Sequence, residues 1–450
     1  MSTSSTAEAE QSQLLGSDLV GRFLVLVKVA RIHEPQNAAV NSAVRRFRTA
    51  LDAYQQVSGS EVALQFESDA AFINRQPVPL DEAQWEQTGF LRSFLRDAGL
   101  ADISFSGMVP EHSVRSLVQA LRDLSLDPSR SAEVRARDFV GVKLRDPNPR
   151  PSHPGMRIDV DDPLRVLRAY AAVVVSVGRY FEAVDKGATS LLSLRKATQA
   201  FARLPERTLP LQLGLLALND QRQTRTGRAA RVSVLSMLMA RRVGVRTGLL
   251  RDAGTAAALT FLGRRKPFVS AHQIGQPEAI AGFRAMAQNP LQGRGAALAV
   301  LAVLDQANAA GRRSGHPLNR IIATADAYDL LTVGSPHGPG LAADEALRKL
   351  SFEPDIDPAS LQLLTATVGM FPVGTIVRLN DGTIGLVVDA TNDPRRILEP
   401  RIRVLADSAR HSAAGKTLDL AGSPRRIVAT IDPRPHGLNV GSLLFGNAGP

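Results

Sequence analysis

The sequence predicts an α+β multidomain protein: a small N-terminal α/β domain, a central all-α helical bundle and a small C-terminal β appendage. Three observations predict it. At 450 residues the chain exceeds what a single hydrophobic core supports, so several domains are expected. Between residues 163 and 350 the apolar residues recur almost entirely at helical spacing with short connections, the pattern of a bundle. After Pro372 the period changes to alternation, the pattern of half-buried strands.

Taken in order, residues 1–15 are rich in Ser, Thr, Glu and Gln and read as a disordered tail, with no basic start or apolar middle to suggest an export signal. Residues 16–125 form the α/β domain. Phe23, Leu24, Val27, Val40, Val44, Phe47 and Leu51 give two helices broken near Pro35. Val62–Phe66 and Ala71–Asn74 read as a hairpin about Glu67–Asp69, and Asp81 is placed to cap a helix that buries Trp85, Phe90, Leu91, Phe94 and Leu95. A strand at 103–105 and a helix at 111–124 complete the domain. His33 in His-Glu-Pro-Gln-Asn sits at a helix boundary, where a lone histidine is a hydrogen-bonded structural residue. Residues 126–162, with Asp127-Pro128-Ser129 and Asp146-Pro147-Asn148-Pro149, have linker chemistry. The bundle spans 163–370, with helices over 164–181, 191–204, 211–218, 229–243 and 249–263. The appendage spans 371–450, with strands at 375–379, 384–388, 401–405 and 426–429 and a turn at Asn380-Asp381-Gly382.

Composition narrows the chemistry. No apolar run approaches the roughly 18 residues of a membrane helix, and with no cysteine any metal would need His, Asp or Glu ligands. Those features fit a cytoplasmic protein. Lys and Arg number 54 against 43 Asp and Glu, a net +11 that suits phosphorylated ligands, nucleic acid or acidic protein surfaces. Nucleic acid is disfavoured because only 5% of residues are aromatic, too few to interleave stacking rings with basic side chains. Walker, dinucleotide-binding and nucleophile-elbow motifs are absent.

Ile321-Ile-Ala-Thr-Ala-Asp326-Ala-Tyr-Asp-Leu-Leu-Thr332, then Glu345-Ala-Leu, Asp357-Pro358 and Phe371-Pro-Val-Gly-Thr-Ile-Val-Arg-Leu379, resembles the C-terminal half of an HD-GYP domain. That resemblance implies a helical bundle in which His and Asp side chains hold two or three cations against a phosphodiester of cyclic di-GMP. It places Asp326 at the last metal-ligating Asp. Moving upstream, it places Asn289 of Asn-Pro-Leu-Gln-Gly at a ligand position, Thr260 and Phe261 at the signature His-Asp pair, and Arg228 of Arg-Ala-Ala-Arg-Val at the first His. The paired histidines expected within 301–313 are absent, and Gly315-His316-Pro317 stands where Gly-Tyr-Pro is expected. Amides bind first-row metals poorly, a phenyl ring has no donor, and a guanidinium repels a cation.

The expectation is therefore a degenerate HD-GYP domain, not an enzyme, without a metal or cofactor, acting as an interaction or ligand-sensing module in bacterial signalling. The alternatives are a metal-dependent cyclic di-GMP phosphodiesterase with a rearranged site, with His272 and His316 nearest the lost positions, and a structural subunit of a larger assembly. Asp326 is expected to pair with a basic neighbour such as Arg228, or else Arg228 and Arg264 hold an anion such as a cyclic dinucleotide phosphate. The partners expected are a protein, a cyclic dinucleotide or a second copy of the chain, and not a membrane. Most of Arg222, Arg225, Arg228 and Arg231, stepping by three around half a helix, are expected to be solvated.

Overall fold

In the computed structural model, residues 3–66, 70–80, 82–100, 102–145, 163–186, 190–218, 224–264, 294–307, 315–335, 338–390, 396–406, 416–433 and 438–445 are described. The chain divides into two units, Met1–Arg157 and Ile158–Pro450. Helices and antiparallel strands are mixed, as an α+β protein requires.

The first unit contains α1 (Thr3–Ile32), α2 (Ala38–Ser58), β1 (Glu61–Phe66), β2 (Ala71–Ile73), β3 (Gln76–Val78), α3 (Glu82–Asp97), β4 (Asp102–Ser106), α4 (Glu111–Leu126), α5 (Ser131–Ala136) and β5 (Val142–Arg145). Its sheet runs β3-β2-β1-β4-β5 with every neighbour antiparallel. In β1, Val62, Leu64 and Phe66 alternate inward, as a strand with one covered face dictates. An aromatic chain ties helices to sheet: Phe23 of α1 lies 5.6 Å from Phe47 of α2 and stacks on Phe66 at 5.7 Å, while Phe47 meets Phe105 of β4 at 5.3 Å. The break after α1 is a capping device, because the Asn37 side chain accepts the Ala39 N–H at the start of α2. Arg122 of α4 clamps the same corner by donating to the His33 carbonyl at 2.7 Å and pairing with Glu34. His33 takes part in this clamp through its backbone carbonyl.

Three expectations for this unit change. The residues read as a disordered tail are helical from Thr3, because the Ala, Glu and Gln of that stretch are strong helix formers leading into a packed helix. The stretch read as a linker from residue 126 is ordered as far as Arg145. Asp127 accepts the Ser129 N–H to start a 3₁₀ turn at Pro128–Arg130, and β5 then pairs with β4. Asp-Pro-Ser is helix-start chemistry as much as linker chemistry. Phe90 is half-exposed beneath the Arg31 guanidinium, which sits 4.5 Å from its ring. Asp81 and residues 146–162 lie outside the described residues.

The second unit begins with α6 (Pro163–Asp185), α7 (Leu192–Ala202), α8 (Leu209–Gly214), α9 (Arg225–Arg242), α10 (Thr247–Leu259), α11 (Arg294–Ala307) and α12 (Pro317–Val333). A two-stranded ribbon of β6 (Gly334–Ser335) and β7 (Gly338–Pro339) precedes α13 (Ala343–Ser351) and α14 (Pro358–Val368). The sheet strands β8 (Ile376–Leu379), β9 (Ile384–Asp389), β10 (Arg401–Ala406), β11 (Thr417–Asp419) and β12 (Ile427–Ile431) follow, and α15 (Val440–Phe445) ends the described chain. The sheet order is β11-β10-β9-β8-β12, all antiparallel, with the β8–β9 hairpin turning through Asp381 and Gly382. Helix α15 seals sheet to bundle: Phe445 enters the bundle core and Val440 packs with Ile376 and Leu386. Gly374 at this seam has φ +94°, and a Cβ there would lie 2.6 Å from that of Ala217.

Helix α9 is the axis of the bundle. Every residue from Gly227 to Ala240 is buried, because α6, α10, α12 and α14 surround it. Small residues permit that density: a Cβ on Gly254 of α10 would stand 2.6 Å from Met237 Sδ of α9. No described helix is long and apolar enough to cross a membrane.

Candidate functional site

Thr224 caps α9 by accepting the Gly227 N–H at 2.9 Å, which fixes where the first helical turn begins. One turn later Arg228 and Arg231 point to the same helix, α12, whose Asp326 and Asp329 are also three apart. Arg228 donates from a terminal nitrogen to Asp326 Oδ1 at 2.7 Å and from Nε to Asp329 Oδ2 at 3.1 Å. Arg231 holds Asp329 through Nε to Oδ1 at 2.6 Å and a terminal nitrogen to Oδ2 at 3.3 Å. From the turn after α10, Arg264 donates to Asp326 Oδ2 at 2.8 Å. All five side chains are buried, Arg228 and Asp326 completely.

Phe261 completes the cluster. Its ring lies 4.0 Å from the Arg264 guanidinium and 5.5 Å from that of Arg228, so its face supplies electron density to two cations removed from water. Consecutive turn hydrogen bonds, Phe261 N–H to Ala258 and Arg264 N–H to Phe261, set ring and guanidinium on the same side. Burial pushes the Arg264 pKa down, Asp326 opposes that, and Arg228 adds to the lowering. A guanidinium starts so far above neutrality that it stays charged.

Arg228 and Asp326, brought together by the sequence resemblance, thus meet directly, and Arg264 and Phe261 join them. Thr260 does not: its hydroxyl donates back to the Ala257 carbonyl within its own helix. Asn289 and His272 lie outside the described residues. Arg228 and Arg264, candidates for holding an anion, are paired with Asp326. The expectation of solvated arginines is corrected at Arg228 and Arg231, because over Gly227–Ala240 α9 has bundle on every side and a step of three stays buried. Arg225 lies 4.4 Å over the Phe181 ring, and Arg222 is outside the described residues. Arg231 and Asp329 were missing from the expected site. Their signal was present as two matched i,i+3 pairs.

The cluster does not suit a divalent cation. Each carboxylate oxygen of Asp326 and Asp329 already accepts a guanidinium N–H. A dication about 4 Å from one guanidinium would be repelled by about 8 kcal/mol at an effective dielectric of about 20. Among the described residues no three His, Asp or Glu side chains come together in a way that could hold a metal. His316, at the start of α12, is exposed with Nδ1 accepting the Leu318 N–H at 3.2 Å. It precedes Asp326 by ten residues, about 15 Å along a helix.

The chain is 26% identical over 353 residues to the cyclic di-GMP phosphodiesterase PA4108 of Pseudomonas aeruginosa, an alignment covering 72% of this chain and 80% of that protein. No family model matches the chain, and no solved structure matches it. The similarity corrects the expectation of a protein that is not an enzyme: the relative aligned across 72% of this chain is a phosphodiesterase.

Proposed function

We propose that this protein is a cyclic di-GMP phosphodiesterase whose active site is rearranged relative to the HD-GYP motif it resembles. The observation that carries the reading is the alignment with a cyclic di-GMP phosphodiesterase over 72% of the chain. The net charge of +11 supports it, since a cyclic dinucleotide with two phosphodiesters is a dianion attracted to a basic protein. The buried Arg228–Asp326–Arg264 cluster contributes no metal ligand to this reading, so no catalytic step is assigned to it. The rearrangement places the reacting groups elsewhere in the chain.

The test is incubation of the purified full chain with cyclic di-GMP and Mn²⁺ or Fe²⁺, with product separation by chromatography and elemental analysis of the protein. Opening of the ring to a linear dinucleotide, with water consumed and one phosphomonoester formed, is the expected result. Saturable binding without any ring opening, over the full range of metals, would sink it.

A further inference from the structure

We infer that Arg228, Arg231, Arg264, Asp326 and Asp329 form a metal-independent ionic lock, in which guanidiniums do the crosslinking between α9, the end of α10 and α12 that a divalent cation would do among carboxylates and imidazoles. Three segments far apart in sequence converge here, and each contributes charge: two cations from α9, one from the turn after α10, two anions from α12. Asp326 bridges two of the segments, with Arg228 on one oxygen at 2.7 Å and Arg264 on the other at 2.8 Å. Arg228 in turn bridges both aspartates. The result is a continuous chain, Arg264–Asp326–Arg228–Asp329–Arg231, in which every link is a charge-assisted hydrogen bond between buried groups.

Geometry separates this lock from an adventitious ion pair. Arg231 grips Asp329 with two nitrogens on two oxygens, and the Phe261 ring covers the Arg264 guanidinium, so planar groups are positioned by shape as well as charge. A metal site needs the opposite arrangement, with lone pairs converging on a space and negative charge in excess. Here the lone pairs are directed at N–H groups and three guanidiniums surround two carboxylates. The fold of this bundle is therefore independent of divalent cations at Asp326. Resting on the phosphodiesterase reading, a second consequence is that any cation serving cleavage binds at residues outside the five.

Thermal unfolding of the full chain, in EDTA and in excess Mn²⁺, for wild type and Asp326→Asn, tests the lock. The wild-type midpoint is expected to be the same in both conditions. Asp326→Asn, which removes the negative charge that Arg264 and Arg228 both engage, is expected to melt lower by roughly 6–20 °C in both. A Mn²⁺-dependent rise in the wild-type midpoint that Asp326→Asn abolishes would overturn the inference. So would an Asp326→Asn protein that melts at or above wild type in EDTA, the behaviour of an empty metal site relieved of one repelling carboxylate. If Asp326→Asn does not accumulate as folded protein, Arg264→Met substitutes for it. That variant breaks the Arg264–Asp326 link, is expected to melt lower than wild type with no Mn²⁺ response, and overturns the lock if its midpoint in EDTA is no lower than that of wild type or if Mn²⁺ raises it. Cyclic di-GMP cleavage is measured on the same samples. Turnover that survives in folded Asp326→Asn or Arg264→Met supports a cation site elsewhere. No turnover in wild type overturns the phosphodiesterase reading alone, because the melting comparison stands without it.

Discussion

Two arginine–carboxylate clusters among the described residues have similar chemistry in opposite surroundings. In the second unit, Arg228, Arg231 and Arg264 hold Asp326 and Asp329 with almost no exposure to solvent. In the first unit, Arg130 and Arg137 hold Glu133 at the surface, within 3.0 Å of both arginines. The distances are comparable. What differs is the solvent, and with it the consequence of losing a partner. At the surface, water and salt replace a lost partner, so an exposed pair contributes little. In the bundle no solvent replaces it, and a buried charge is left with fewer partners in a medium where that is costly. Burial does not make the inner pairs strong net stabilisers. It makes them obligatory.

The largest effect is therefore expected at Asp329. Asp329→Asn leaves Arg231 without its bidentate acceptor and Arg228 without its Nε partner, and is expected to cost about 3–5 kcal/mol, read as a lower urea midpoint with unchanged slope. A double variant, Arg231→Met with Asp329→Leu, removes both charges from one link. It should recover part of that loss, because an apolar pair of similar volume avoids the desolvation of two ions. Recovery smaller than the error of the measurement would show that the inner cluster behaves like the outer one.

A third pair lies between these extremes and sharpens the gradient. Arg320 of α12 meets Asp357 at 3.0 Å with side-chain exposures of 27% and 12%, and Asp357 also caps α14 by accepting the Ser360 N–H and hydroxyl. Asp357→Ala removes cap and pair together and is expected to cost about 1–2 kcal/mol, whereas Asp357→Asn keeps the cap and should cost less than half of that. Burial alone would raise the Asp357 pKa, but the Ser360 donors and Arg320 outweigh it and hold the carboxyl below its ordinary range. A depressed folded pKa means the stabilisation is complete above the ordinary carboxylate value, about 4, and is lost as pH falls through the lower folded value. The difference in stability between wild type and Asp357→Asn should shrink in that acid window and stay constant above it.

How much of this was legible in the sequence depends on what surrounded each residue. The helices of the bundle follow from apolar periodicity, and the β8–β9 hairpin from Asp-Gly between two alternating runs. The resemblance also joined Arg228 to Asp326, residues 98 apart. Its partners were harder to read. Arg231 and Asp329 carry no mark in the linear sequence beyond matched spacing, and arginines stepping by three around half a helix reach solvent only where the helix has a wet face. Helix α9 has no wet face over Gly227–Ala240, a property of its neighbours and not of its own residues. At Phe261 the resemblance speaks only to the loss of a ligand, because a phenyl ring has no donor atom. Its ring face against two guanidiniums is a contact that requires knowing where Arg228 and Arg264 are.

The smallest effect, and the cleanest control, belongs to Glu133. Hydrogen bonds from Arg130 and then Arg137 lower its pKa to about 2, so both the shift and the ion pairs are products of local geometry on an exposed surface. Because the folded pKa is depressed, any stabilisation is present at neutral pH and is lost only as pH falls below the ordinary glutamate range toward that value. Carboxyl-detected NMR titration should place the Glu133 midpoint well below those of unpaired glutamates, and molar salt should move it back up, since the screening length then falls to about 3 Å. Glu133→Gln should lower the unfolding midpoint at neutral pH by far less than Asp329→Asn, because water and salt screen the exposed pairs. A small loss that molar salt abolishes is what distinguishes a pair that water can still reach from the buried pairs of Asp329, which it cannot.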